Sequence, residues 1–270
     1  MGCSILVSAA DDWAFGGLAR TLAGHFGCTV SDRESTCNYV LSEPLSPTVH
    51  SYIPLSSIAI AADKRLGEAV FATHGVPRPE TFLIPDEAGV NTLLRADPAA
   101  EYLLKYPTSC GANGHYLIAP GFVAKRNWPR PFLVQRFIRM ERPRVYRAYC
   151  VAGQVVGSNV RRFADGVTAD LIAHALGARY HFDEVVDGEG CRIALLAARA
   201  GGFQDSFCVV DLLRDREGRW LVLELGTDGI FNLVDRDFAD ESFSRLLHGE
   251  LAASFNAWCA RSSQGRIDAI

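Results

Sequence analysis

The chain has 270 residues, a net charge of −4 and 49% hydrophobic residues, enough for a substantial core in one large domain or two or three small lobes. The near-neutral balance argues against a dedicated nucleic-acid binder, which would show a basic face. No stretch approaches the ~20 apolar residues of a membrane span. The start, MGCSILVSAADDW, has no basic region and meets Asp11 and Asp12 at once, so it does not read as a secretory signal. Gly2 invites a lipidation reading, but Leu6 stands where that motif wants Ser or Thr. The eight cysteines form no C-x-x-C pair, which argues against a zinc or redox motif and suits a reducing cytoplasm, the expected location.

In chain order, Ser4 to Ala9 is a short apolar run, and Trp13, Leu18, Leu22 and Phe26 have helical spacing. Cys28 to Val30 and Tyr39 to Leu41 read as strands, which makes a small α/β lobe over residues 1–57. Neither a G-x-G-x-x-G after the first strand nor a Walker-type phosphate loop is present. Ala62 to His74 reads as a helix, with Gly75 as its stop and Val76-Pro77-Arg78-Pro79 held extended. Thr81 to Ile84 is a strand, Asp86 to Leu94 a helix, and Tyr102 to Lys105 a strand. That strand runs into the small-residue loop Pro107 to Gly114, and His115 to Ile118 follows as another strand. A strand ending in Lys105 before such a loop can handle phosphate, because backbone N–H groups approach the anion and the Lys adds charge. The plain alternative is a hairpin turn.

Phe132 to Ile138 (FLVQRFI) is a strand, and Tyr146 to Ser158 is a hairpin turning at Ala152-Gly153. Arg147 alternates with Tyr146 and Tyr149, so it faces either a buried anion or solvent. Ile193 to Ala200 is helical, and Glu241 to Ala260 is an amphipathic C-terminal helix. Between them, Val209 to Asn232 reads as strand, turn, strand, with Asp211 and Glu224 embedded in the two apolar runs. Carboxylates in buried strands must be paired, protonated or bound to a cation. Brought together by one hairpin they repel unless a cation lies between them, and their oxygens suit Mg2+. The alternative is one acid in water and the other paired with an Arg.

In this order the segments resemble the ATP-grasp superfamily, over roughly Ile58 to Val234. Asp63-Lys64 before GVPRPETFLI is similar to that family's entry helix and the strand after it. Lys105 with Pro107 to Gly114 resembles its Lys and mobile phosphate loop, and FLVQRFI its interlobe strand. YRAYCVAGQVVGS resembles its Arg-bearing hairpin, and Asp211 and Glu224 fall on its two metal acids. The resemblance implies an α+β fold, two lobes gripping ATP over residues 58–270 after the short N-terminal lobe. The smaller lobe would cover about 80–131 and the larger, metal-binding one about 132–260.

The resemblance also implies ATP and Mg2+, with Mn2+ as an alternative, and a ligase that joins a carboxylate to an amine through an acyl phosphate. The compact length and the Arg147 hairpin look most like amino-acid and peptide ligases related to ribosomal-protein glutamate ligase. Lys105 and Arg147 take catalytic roles in this reading. Lys64, Lys105, Ser109, Gly111, Gly114, Gln135, Arg136, Phe137 and Ile138 would hold the nucleotide. Asp211, Glu224 and Asp228 would hold metal, and Arg161 and Arg162 an amino-acid or peptide substrate, free or on a carrier protein or peptide. The chain departs from the pattern at Gly226, where an Asn is usual and Asp228 or Asn232 would substitute. It departs again at Val145, where an Asp is common, and at Gln135-Arg136, where an acid is. A kinase on the same scaffold and a non-catalytic nucleotide binder are the other readings.

Overall fold

A computed structural model describes residues 2–42, 46–109, 111, 114–167, 169–227, 237 and 240–267. It is a mixed α+β protein with three sheets. In the first, β1 (Cys3–Leu6) lies between β2 (Thr29–Ser31) and β3 (Cys37–Val40), parallel to both. Parallel neighbours need a crossover, and α1 (Asp12–Phe26) supplies it between β1 and β2. Leu22 and Phe26 of the expected apolar stripe are buried, whereas Trp13, in the first turn of α1, is 88% exposed.

The helix expected over Ala62 to His74 is α3 (Lys64–Thr73), and a separate helix that the sequence reading lacks, α2 (Leu55–Ala62), precedes it. Asp63 divides them because it caps the second. Its backbone is extended and its carboxylate accepts from the Arg65 N–H at 2.9 Å. Lys64 therefore begins α3. The Pro77 carbonyl accepts from the Val222 N–H at 2.8 Å, so this extended segment runs against the last strand of the large sheet.

The next sheet contains β4 (Thr81–Ile84), β5 (Tyr102–Lys105), β6 (His115–Ile118) and β7 (Phe132–Arg136), antiparallel and ordered β4-β7-β5-β6. One face packs Tyr102, Leu104, Phe132 and Val134 against Val90 and Leu94 of α4 (Glu87–Ala96). Alternation sends Lys105, His115, Leu133 and Gln135 to the other face. The FLVQRFI strand ends at Arg136, and the Phe137 N–H donates to the Glu101 carbonyl at 2.8 Å. This strand, which the sequence sets at the head of the larger lobe, is paired with β4 and β5.

The large sheet is antiparallel, in the order β10-β9-β8-β11-β12. Its strands are β8 (Arg144–Val151), β9 (Gln154–Arg162), β10 (Arg179–His181), β11 (Phe207–Arg214) and β12 (Trp220–Gly226). The β8–β9 turn falls at Ala152-Gly153, both at positive φ, as a two-residue hairpin requires. α5 (Gly188–Ala200) begins before the expected Ile193 because Asp187 caps it, accepting from the Gly190 N–H at 2.9 Å. The C-terminal helix α6 (Ser242–Ile267) carries Phe255, which stacks on Phe26 at 4.9 Å and meets Tyr52 edge-on at 5.7 Å. One core thus joins the N-terminal sheet to the large sheet. Among the described residues no helix is long and apolar enough to cross a membrane.

Candidate active site

Strand register alone assembles the centre of the site. Asn159, Arg147, Asp211 and Glu224 are successive partners across β9, β8, β11 and β12, so they form one row. Arg147 grips both oxygens of Asp211, Nε to Oδ1 at 2.7 Å and Nη2 to Oδ2 at 2.9 Å. Arg161 Nη2 stands 3.5 Å from Oδ2. Burial opposes charge on both members of the pair, and the pairing outweighs it. Asp211 is held below the ordinary carboxylate range by Arg147 and then Arg161, and Arg147 is raised well above its own, chiefly by Asp211. Arg147 therefore faces inward, and Asp211 is its anion.

Glu224 completes the row against a different cation. The Lys64 ammonium stands 3.2 Å from Glu224 Oε2 and donates to the Ser109 carbonyl. The Lys64 N–H donates to the Pro107 carbonyl at 3.0 Å. One residue at the start of α3 thus ties the expected phosphate loop to the acidic hairpin. Gly114 closes the loop at φ 72°, where a Cβ would lie 2.6 Å from Tyr106 Cβ. Gly111 is exposed at φ 64°.

Lys105 is 5% exposed and has no ion pair within 4.0 Å among the described residues. Burial pushes it down to about 8; Glu224, Glu68 and Asp211 pull the other way, and Lys64 adds to the fall. Glu68, one turn after Lys64 on α3, is buried and paired with Arg78; burial raises its carboxyl against the pull of Arg78. Lys64, Glu68, Lys105, Gln135, Leu223 and Glu224 line one small cavity. Gln135 Nε2 donates to Thr81 Oγ1 at 2.9 Å beside it.

The other expected nucleotide residues lie elsewhere. Arg136, Phe137 and Ile138 line a hollow of about 1120 Å³ with Pro77, Glu101 and the β11–β12 turn. Arg136 is drawn there by Glu80 at 3.5 Å and Asp97 at 3.6 Å. The two Arg residues of β9 also separate, because neighbours on a strand face opposite ways. Arg161 points to the row, with Nη1 3.4 Å from the Tyr180 hydroxyl and a buried Nε that has no partner among the described residues. Arg162 binds Asp183 at 2.7 Å and Glu184 at 3.2 Å and does not join the row.

Glu68, His115, Asn159 and Tyr180 belong to the site but are absent from the sequence reading. The i, i+4 relation of Lys64 and Glu68 and the i, i+2 relation of Asn159 and Arg161 were available signals. Asp211 and Glu224, opposed on a hairpin, bring the oxygen donors a hard cation takes, but here Arg147 holds both Asp211 oxygens and Lys64 pairs with Glu224. Among the described residues no group of three His, Cys, Asp or Glu is gathered for a metal. Asp228 and Asn232 lie outside the described residues, as do Cys110, Ala112 and Asn113 of the loop.

No protein-family model and no curated protein sequence matches the chain. Solved structures do. The ATP-grasp ligase PsnB complexed with minimal precursor superposes with a TM-score of 0.65 at 13% identity, covering 95% of this chain and 98% of that one. The D-cycloserine synthetase DcsG gives 0.65 at 17% identity, over 93% and 97% of the two chains. The D-alanine–D-alanine ligase of Bacillus anthracis, complexed with ATP, gives 0.67 at 10% identity, over 100% and 99%. At such identities the likeness is one of fold, and it spans nearly the whole of each chain: this protein has the ATP-grasp fold.

Proposed function

We propose that the chain is an ATP-dependent, ADP-forming ligase that joins a carboxylate to an amine. Residues 1–57 act as an N-terminal lobe and 58–270 as the ATP-grasp domain. The observation that carries the reading is the Arg147–Asp211–Glu224 row with Lys64 beside it and Lys105 close enough to feel its charges. Phosphoryl transfer asks for positioning and charge neutralisation more than covalent help. Lys64, Lys105 and Arg147 supply positive charge for the phosphates, and the loop with Ser109, Gly111 and Gly114 offers backbone donors. Gln135 borders the small cavity beside Lys105, and the base would lie in the hollow that Arg136, Phe137 and Ile138 line. Asp211 and Glu224 would hold Mg2+ or Mn2+, which neutralises phosphate charge when bound.

In the reaction a substrate carboxylate oxygen attacks the γ-phosphorus, and the bond to ADP breaks. The amine nitrogen then attacks the acyl carbon, phosphate leaves and the amine gives up a proton. Arg161 would hold a substrate carboxylate, a reading supported by its buried Nε, which has no partner among the described residues, and by its Nη2, 3.5 Å from Asp211 Oδ2. The PsnB structures include precursor peptides, which favours an amino acid or a peptide as substrate here, free or carrier-borne.

The test is ADP release with Mg2+ against amino-acid and peptide pools, followed by product mass. A ligase gives the sum of donor and acceptor less water; an added phosphoryl group would replace this reading with a kinase. Within that assay Arg161→Ala is expected to raise KM for the carboxylate substrate about tenfold or more, the worth of a charge-assisted hydrogen bond. Arg162→Ala, whose partners are Asp183 and Glu184, should change it less than about threefold by the same scale.

A further inference from the structure

His115 lies on the same face of the small sheet as Lys105, where the phosphate loop rejoins it. It is the first residue of β6, directly after the closing Gly114 of the loop, and its register partner on β5 is Lys105. Partners on adjacent strands share a face, so the imidazole lies on the cleft side of the small sheet with Lys105, Leu133 and Gln135. Its Nε2 is buried and has no hydrogen-bond partner among the described residues. The large majority of buried side-chain polar atoms in folded proteins have a hydrogen-bond partner. An apolar side chain at this position would satisfy the strand and avoid the mismatch. The unmatched nitrogen instead sits where two ammonium groups gather.

We propose that His115 is a further nucleotide-binding residue, donating its Nε2–H to a phosphate oxygen of the bound nucleoside triphosphate. The proposal rests on the nucleotide reading of the site and adds a residue to it. Phosphate oxygens at neutral pH are acceptors, so the imidazole must present a proton, which the neutral ring carries on one nitrogen. The ring is neutral here: burial, then Lys105 and Lys64, push His115 down to about 3. A third full cation would repel Lys64 and Lys105 before the phosphates arrive. A neutral donor does not, and it still binds a phosphate oxygen directionally. The position also couples the loop to the ligand. The Tyr106 N–H donates to the Gly114 carbonyl at 2.9 Å, so His115 leaves a fixed loop base.

The test is calorimetric binding of adenosine, AMP and a non-hydrolysable ATP analogue with Mg2+ to the full chain, in wild type, His115→Phe and His115→Gln. His115→Phe keeps a flat ring and removes the donor; His115→Gln keeps an N–H donor. The expected result is a loss of roughly tenfold or more for the ATP analogue in His115→Phe, the worth of a hydrogen bond to a charged group. Adenosine affinity should be unchanged, and His115→Gln should recover most of the loss. The melting temperature of His115→Phe should equal or exceed that of wild type, since an unmatched polar atom is removed. Equal losses for adenosine and the ATP analogue, or no loss for either, would overturn the proposal while leaving nucleotide binding intact. Failure of wild type to bind the ATP analogue would overturn both readings.

Discussion

Glu224→Gln is expected to lower Mg2+-dependent ADP release by at least about 100-fold, the usual cost of removing one electrostatic group from a phosphate or oxyanion site. The fold should survive. The Glu224 side chain is 33% exposed and its ion pair with Lys64 is a partly solvated one, so the stability loss should stay below about 1 kcal/mol. Asp211→Asn makes the contrast. It strands Arg147, which is bound bidentately, and removes the second partner of Arg161 in a site where Asp211 is 2% exposed. Breaking a buried pair from one side costs about 3 kcal/mol or more. Asp211→Asn should therefore lose both turnover and stability, and Glu224→Gln turnover alone. Urea denaturation beside the ADP assay checks both. Turnover within a few-fold of wild type in Glu224→Gln would remove the acidic hairpin from the mechanism.

Lys105→Met is the second large effect, and its two consequences have opposite signs. Nucleotide triphosphate binding should fall about 100-fold, because the proposed phosphate site loses a buried cation. Stability should rise. Lys105 is depressed from 10.5 to about 8, mainly by burial, so the folded state resists its charge. Below pH 8 the group is protonated in folded and unfolded chains alike, and the penalty is present in full. Between about 8 and 10.5 the unfolded chain holds more protons, so wild-type stability rises with pH relative to the variant. The advantage of Lys105→Met should thus be greatest below pH 8 and shrink by about 3 kcal/mol by pH 10.5, at ~1.4 kcal/mol per unit. Wild-type nucleotide affinity should weaken above pH 8, and the residual affinity of the variant should be flat there. Parallel denaturation curves at pH 7 and 10 measure the first effect and calorimetry the second. A variant no more stable at pH 7 than at pH 10, relative to wild type, would contradict the burial argument.

These charged positions were legible in unequal degree. Asp211 and Glu224 announce themselves as acids inside apolar strands, and period-two patterning fixes their faces. Lys105 is visible as a charge ending a strand before a glycine-bearing loop. What the sequence does not display is register between strands far apart in the chain. Arg147 lies beside Asp211 because β8 pairs with β11, a contact over 64 positions. His115 lies beside Lys105 because the loop closes at Gly114 with no shift.

The same limit applies elsewhere. Cys150 and Cys208, apparently scattered, are direct cross-strand partners, and Cys3 and Cys37 are neighbours on parallel strands. Capping carries information that apolar periodicity does not. Asp63 and Asp187 are ordinary N-cap residues, and each marks a helix start that apolar periodicity alone places wrongly. Arg161 and Arg162, read as one unit, separate because strand neighbours point apart. Arg136 follows the acids that surround it, Glu80 and Asp97, which no local pattern ties to its strand.

The most direct test of the central claim is hydroxylamine trapping during turnover. Wild type is incubated with ATP, Mg2+ and amino-acid or peptide pools, with Glu224→Gln alongside. A hydroxamate formed by wild type from one carboxylate pool, with ADP in equal amount and none from the variant, is the predicted result. It would show ATP-dependent carboxylate activation at this site and identify the donor class. ADP release with a phosphorylated product and no hydroxamate in any pool would contradict the ligase account.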